Sequence, residues 1–200
     1  MSRSPLEIVF VCTGNRFRSP LAEGLLRASV AGLPVSVRSY GTLEEEGEPV
    51  LPEALWHAER FGVDISAHRS SSLAKARLAA ADLVIGFETI HVAKAVSEAG
   101  AARERAFTLP ELILCLELIE TPRVDGFLEY ARAMIRDAGG LQRPQSVPEI
   151  GDPFGGPRRG FGEAAGRIRD LVAVLTEKLF PATSRVEPET EPRRESSRAR

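Results

Sequence analysis

Cysteine is scarce in this sequence: Cys12 and Cys115 are the only two in 200 residues. So small a number excludes a disulfide framework, and a reducing cytoplasm is the expected compartment. An excess of charge of either sign is lacking too. The formal net charge of −2 gives no electrostatic case for nucleic acid or an anionic membrane, so neither is expected as a partner. No apolar run approaches the length of a membrane span. No signal-peptide pattern opens the chain, because residues 2–5 lead straight into a short apolar segment. Internal repeats are absent. What remains is an ordinary globular composition, 43% hydrophobic, in a chain long enough for one domain with a real core.

Apolar patterning divides the chain into alternating elements. Residues 6–11 read as a buried strand. A helical pattern runs from Pro20, with Leu21, Leu25, Leu26 and Val30 on one face. Ser19 is placed to cap that helix and Pro20 to fill its first position. Val35, Val37 and Tyr40 mark a second strand closed by Gly41. Residues 52–61 form a short helix stopped by Gly62, and His68 falls in the loop after it. Residues 81–87 are a third strand, near-continuously apolar, as in a parallel sheet covered on both faces. Residues 89–99 are helical, and 105–109 form a fourth short strand. Strand–helix alternation of this kind predicts an open α/β sheet of four parallel strands with helices on both faces. Two further helical stripes, 112–119 and 127–135, lie in an irregular stretch. A strong amphipathic helix over 163–180 closes the domain. Residues 1–182 are read as one domain. Residues 183–200, rich in Pro, Glu, Arg and Ser, are expected to be a disordered tail.

The chemistry concentrates where the first strand ends: Cys12-Thr13-Gly14-Asn15-Arg16-Phe17-Arg18-Ser19-Pro20. A bare Cys-x5-Arg is weak, arising by chance in roughly one chain in five of this composition. Its setting is much rarer. Strand, tight loop and helix N-terminus together make an anion cradle. Gly14 and Asn15 tolerate the left-handed backbone that turns successive N–H groups inward. Such a ring stabilises a thiolate and a phosphate dianion alike, so Cys12 is the candidate nucleophile. Arg18 supplies a planar fork for two phosphate oxygens. Ser19 can hydrogen-bond the sulfur as it leaves. The plainer alternatives are a small buried cysteine and a surface arginine. Far downstream, Asp152-Pro153-Phe154 begins a stiff turn. The sequence pattern alone makes Asp152 a turn residue.

Residues 11–20 resemble the signature of the low-molecular-weight protein tyrosine phosphatase family, Val-Cys-x-Gly-Asn-x-x-Arg-Ser-Pro, at every fixed position. Asp152-Pro153-Phe154 is similar to that family's Asp-Pro-aromatic loop. The resemblance takes in Ser39-Tyr40-Gly41-Thr42, Gly62-Val63-Asp64, His68-Arg69, Ala81-Asp82-Leu83-Val84 and the C-terminal helix. It spans about residues 6–109 and 149–180, whereas 110–148 look longer than the usual family connection. It implies a flavodoxin-like fold and a phosphomonoesterase with no metal and no organic cofactor. Its substrate would be a phosphorylated protein or a small phosphomonoester. Cys12 would attack phosphorus, and Thr13, Gly14, Asn15, Arg16, Phe17, Arg18 and Ser19 would cradle the phosphate. Asp152 would protonate the leaving oxygen and then activate water. Asn15 would brace the loop through Ser39 and His68, and Phe154 would line the substrate slot.

Two positions depart from the family pattern. Phe17 stands where relatives often carry a second cysteine that traps the nucleophile as a disulfide. Oxidised Cys12 is therefore expected to lack a local resolving thiol. Arg16 stands where relatives carry an aliphatic or small residue facing the substrate. With Glu44-Glu45-Glu46 opposite, that leaves phosphotyrosine and phosphoarginine both open; a merely solvated loop is the plainer account. Arsenate reductases share the fold and the cysteine loop. Those coupled to a thiol cofactor need only one cysteine, but they tend to lack Pro20 and the Asp-Pro loop.

Overall fold

The structure, a computed structural model, describes residues 4–144 and 146–181. The expected tail lies outside them. The central sheet has four parallel strands: β1 (Leu6–Cys12), β2 (Val35–Gly41), β3 (Leu83–Gly86) and β4 (Ala106–Thr108). Their spatial order is β2-β1-β3-β4. The chain steps from β1 to one side and later returns to the other, so the sheet switches direction between β1 and β3. In open α/β sheets, ligands bind beyond the strand carboxyl ends at that point. Cys12 is the last residue of β1.

Alternating residues of β1 serve two cores. Ile8 and Phe10 join Leu83, Ile85 and Phe107 beneath α1 (Arg18–Ser29), α2 (Pro52–Arg60), α4 (Leu109–Glu117), α5 (Phe127–Gly140) and α6 (Arg158–Leu179). Val9 and Val11 join Val84 and Ala106 beneath α3 (Thr89–Ala99) and a 3-10 turn at Leu73–Lys75. Among the described residues both faces are covered, one by five α-helices and the other by one. This sandwich explains why β3, buried on both sides, reads as an unbroken apolar run. No helix among the described residues is long and apolar enough to cross a membrane.

Several boundaries differ from the sequence reading. Helix α1 starts at Arg18, and Phe17 stands at the N-cap with no side-chain capping bond. Ser19 therefore does not cap it. Its hydroxyl is turned inward toward the loop that follows β1, and Pro20 is tolerated because the N–H groups of a first turn have no helical partner anyway. Helix α6 begins five residues before the expected start, directly after Pro157. Gly160 and Gly162 interrupt the apolar pattern there and hide the first turns. The apolar stripe of α5 is turned to this chain's own core, with Ala131, Met134, Ile135 and Ala138 buried against the α4 and α6 side.

Candidate active site

The loop after β1 is held from three sides. From β2's end, Thr42 and Leu43 donate backbone N–H bonds to the carbonyls of Cys12 and Thr13, at 2.9 and 3.0 Å. Gly41 allows this approach, since a Cβ there would lie 2.9 Å from the Thr13 carbonyl oxygen and 3.1 Å from Asn15. Asn15 takes the left-handed conformation, φ 54°, which asparagine accepts more readily than most residues. Its buried amide Nδ2 donates to Ser19 Oγ at 2.9 Å and to Ser39 Oγ at 2.8 Å, while Oδ1 accepts from Ser71 N at 2.9 Å. His68 Nε2 donates to the Asn15 carbonyl at 3.0 Å. Ser39 and His68 thus meet Asn15 as the family pattern implied.

Glu23 completes this brace. It accepts from Ser39 Oγ at 2.5 Å and lies 3.7 Å from His68 Nδ1, and its other oxygen pairs with Arg27. The sequence reading missed it. An acid on the inward stripe of α1, between Ala22 and Leu26, was the available signal, because a buried carboxylate needs partners. Burial lowers the His68 pKa, with the Glu23 carboxylate opposing that effect.

Around the sulfur, the predicted residues converge. Cys12 Sγ lies 3.0 Å from Ser19 Oγ. The Arg18 side chain is only 1% exposed. Its Nη2 donates to Thr13 Oγ1 at 2.9 Å and to Asp152 at 2.6 Å. Its Nη1 donates to Glu88 at 2.5 Å and to the Ile150 carbonyl at 3.0 Å. A single guanidinium therefore joins the loop, the end of β3 and the segment carrying Asp152. Ile150 N in turn donates to the Phe87 carbonyl at 3.0 Å, and Phe154 N donates to Asp152 Oδ1 at 3.1 Å.

Glu88 and His91 belong to this network and were not foreseen. Glu88 caps α3, and His91 Nδ1 accepts from the backbone N–H of Phe87 and Glu88, at 3.3 and 3.1 Å. With Nδ1 accepting, the neutral ring carries its proton on Nε2 and donates to Thr13 Oγ1 at 3.1 Å. Thr13 Oγ1 then accepts from both Arg18 and His91, which leaves its own hydrogen to donate. Burial, with Arg18 close by, pushes the His91 pKa down to about 4. An acid directly after a sheet strand and before a helix was the readable hint for Glu88.

The cavity above the sulfur has a volume of about 110 Å³. Leu43, Leu51 and Phe154 give it apolar walls, and Glu45 and Asp152 bring carboxylates. Phe154 is 70% exposed at the mouth. Of the acidic run, Glu45 alone lines the cavity. Glu46 instead accepts from Ser72 N at 2.7 Å and pairs with Lys75, and the Ser72 bond holds its carboxyl below the usual range. Arg16 lines the cavity, but its Nε donates to the Pro49 carbonyl at 2.9 Å and its guanidinium lies 4.0 Å from Glu48. Among the described residues no group of three or more His, Cys, Asp or Glu is placed to hold a metal.

Residues 7–117 match the family model described as low molecular weight phosphotyrosine protein phosphatase. A protein-arginine-phosphatase of Geobacillus stearothermophilus is 31% identical over 176 residues, 88% of this chain and 97% of that protein. A second protein-arginine-phosphatase, from Bacillus subtilis (strain 168), is 36% identical over 54% of this chain and 73% of its own length. Among solved structures, a low molecular weight protein tyrosine phosphatase from T. tengcongensis superposes with a TM-score of 0.63 at 29% identity, covering 86% of this chain and 99% of that one.

The chain belongs to this phosphatase family. The family model ends within α4, so it does not reach Asp152. What ties Asp152 to the cysteine loop is its bond to Arg18. In this low-molecular-weight phosphatase the position five after the cysteine holds Phe17, which lines the cavity and whose ring is buried against Phe161 and His57.

Proposed function

We propose that the protein removes phosphate from phosphorylated protein side chains through a phosphocysteine at Cys12. The convergence of Cys12, Ser19, Arg18 and Asp152 around one small cavity carries this reading. The Cys12 thiolate attacks phosphorus and an S–P bond forms. The bond to the leaving oxygen breaks, and Asp152 delivers a proton to that oxygen. Loop N–H groups, the Arg18 fork and the Thr13 hydroxyl stabilise the equatorial oxygens. Asp152 then takes a proton from water, whose oxygen attacks phosphorus. The S–P bond breaks, and Ser19 hydrogen-bonds the returning thiolate.

Asp152 accepts from Arg18 in the structure. A phosphate dianion in the ring competes for that donor, which frees Asp152 to serve the leaving atom. The scheme needs Cys12 reduced, which suits the cytoplasm. Phosphotyrosine is the first substrate reading, because Leu43, Leu51 and Phe154 offer flat apolar walls to a phenol ring. Phosphoarginine is the second, supported by the carboxylates of Glu45 and Asp152 in the same cavity. A guanidinium leaving group pairs with carboxylates as a phenol cannot.

A panel of phosphotyrosyl peptide, phosphoarginyl peptide and aryl phosphate, assayed on wild type, Arg16→Ile and Glu45→Gln, decides between them. On the first reading Glu45→Gln leaves phosphotyrosine turnover unchanged. On the second it lowers kcat/KM for phosphoarginine about tenfold. Absence of turnover on all three substrates overturns the phosphatase reading itself.

A further inference from the structure

A second, larger groove of about 580 Å³ opens between α2 and the first turn of α6. It shares a wall with the catalytic cavity. Phe17 lines that cavity, and its ring packs edge-on against two residues of the groove, Phe161 at 5.0 Å and His57 at 6.3 Å. The chain also passes directly from one to the other, since Leu51 lines the cavity and Pro52 the groove. Nothing in the catalytic scheme uses the groove.

Its lining has the composition of a binding surface. Trp56 is the chain's only tryptophan, and it stays 54% exposed. Arg60 lies over its ring at 4.7 Å. Arg158 and Arg159 face the same space and have no ion-pair or hydrogen-bond partner among the described residues. Glu53 is the one acid of the lining among the described residues. Burial, and then the nearby Arg60, lower the pKa of His57. A locally cationic, aromatic surface on a chain of net charge −2 is a complement for acidic groups. Trp and Arg are also the residue types that dominate interface energetics.

We propose that this groove docks an acidic segment of the phosphorylated polypeptide, flanking the residue held over Cys12. Carboxylates of that segment pair with Arg158 and Arg159, and an apolar side chain packs on Trp56. The inference rests on the protein-phosphatase reading, and it adds the sequence class of substrate that the enzyme prefers.

The test compares p-nitrophenyl phosphate with two phosphopeptides that differ only in flank, one rich in Asp and Glu, the other in Lys. In wild type the acidic peptide is expected to have a KM about tenfold lower than the basic one. The double variant Arg158→Glu, Arg159→Glu abolishes that difference while kcat/KM for p-nitrophenyl phosphate stays unchanged. Trp56→Ala raises KM for the acidic peptide alone. Equal KM values for the two peptides in wild type, or an equal loss on p-nitrophenyl phosphate in the double variant, overturns the proposal. An independent readout needs no turnover: titrating Cys12→Ser with the unphosphorylated acidic peptide is expected to shift Trp56 emission saturably, and added salt to reverse it. An emission change that tracks protein concentration instead assigns the groove to a second copy of the chain and overturns it. Failure of p-nitrophenyl phosphate hydrolysis sinks the phosphatase reading separately, and the emission titration then still decides the groove.

Discussion

Asp152 and His91 show how much one side chain decides here. Asp152 matters only insofar as the leaving group needs a proton. Asp152→Asn is therefore expected to slow phenyl phosphate about 10²- to 10³-fold and p-nitrophenyl phosphate far less, as a series of kcat values against leaving-group pKa would show. Equal slowing across the series removes Asp152 from the acid role. His91 is held neutral beside Arg18, with Glu88, Glu149 and Asp152 on the acidic side of the balance. Its folded pKa of about 4 lies below the ordinary value of 6.5. The unfolded chain therefore binds that proton first as pH falls. The stabilisation is complete above about pH 6.5 and is lost progressively down to about pH 4, an effect on the order of 3 kcal/mol. His57 and His68 shift in the same direction. Urea unfolding from pH 7 to pH 4 should show the decline, and His91→Asn should flatten it. An identical slope in that variant contradicts the assignment.

At the scale of elements, legibility followed burial. Strands β1 and β3 announced themselves as apolar runs because both sheet faces are covered. The cysteine loop was readable because phosphate-cradling geometry needs particular residues at fixed spacing, as Gly14, Asn15 and Arg18 provide. What surrounds the loop was not readable. Glu23, Glu88 and His91 come from separate elements, and sequence gives no distance between them. The first turns of α6 were hidden because Gly160 and Gly162 break the apolar period. The partner of the α5 stripe was equally hidden, since a stripe records only that something covers it. One glycine pair tests that packing. A Cβ on Gly139 would come within 2.4 Å of the Glu104 carbonyl oxygen, whereas Gly140 has nothing within 4 Å. Gly139→Ala should cost about 1–3 kcal/mol by thermal unfolding. Gly140→Ala should be neutral or slightly stabilising, as alanine usually is in a helix. Equal effects would mean that α5 does not pack closely against residues 103–105.

For the whole molecule, the two cysteines divide the redox behaviour. Cys115 is buried in α4, and burial pushes its thiol pKa up. Five positions after Cys12 the loop carries Phe17 and no second thiol. Peroxide is thus expected to carry Cys12 to sulfinic and sulfonic acid, read by peptide mass spectrometry. A Cys12–Cys115 disulfide would contradict this. The fold's larger task is to bring residues 12, 18, 88 and 152 to one rim of the sheet, and everything proposed for catalysis depends on that convergence. The most direct measurement is to mix Asp152→Ala with p-nitrophenyl phosphate, quench in denaturant during the first turnover and map the phosphorylated peptide. The account predicts phosphate on the Cys12 sulfur, in step with a burst of nitrophenol, and no turnover in Cys12→Ser. A full burst with Cys12 unmodified, or turnover that survives Cys12→Ser, would contradict it.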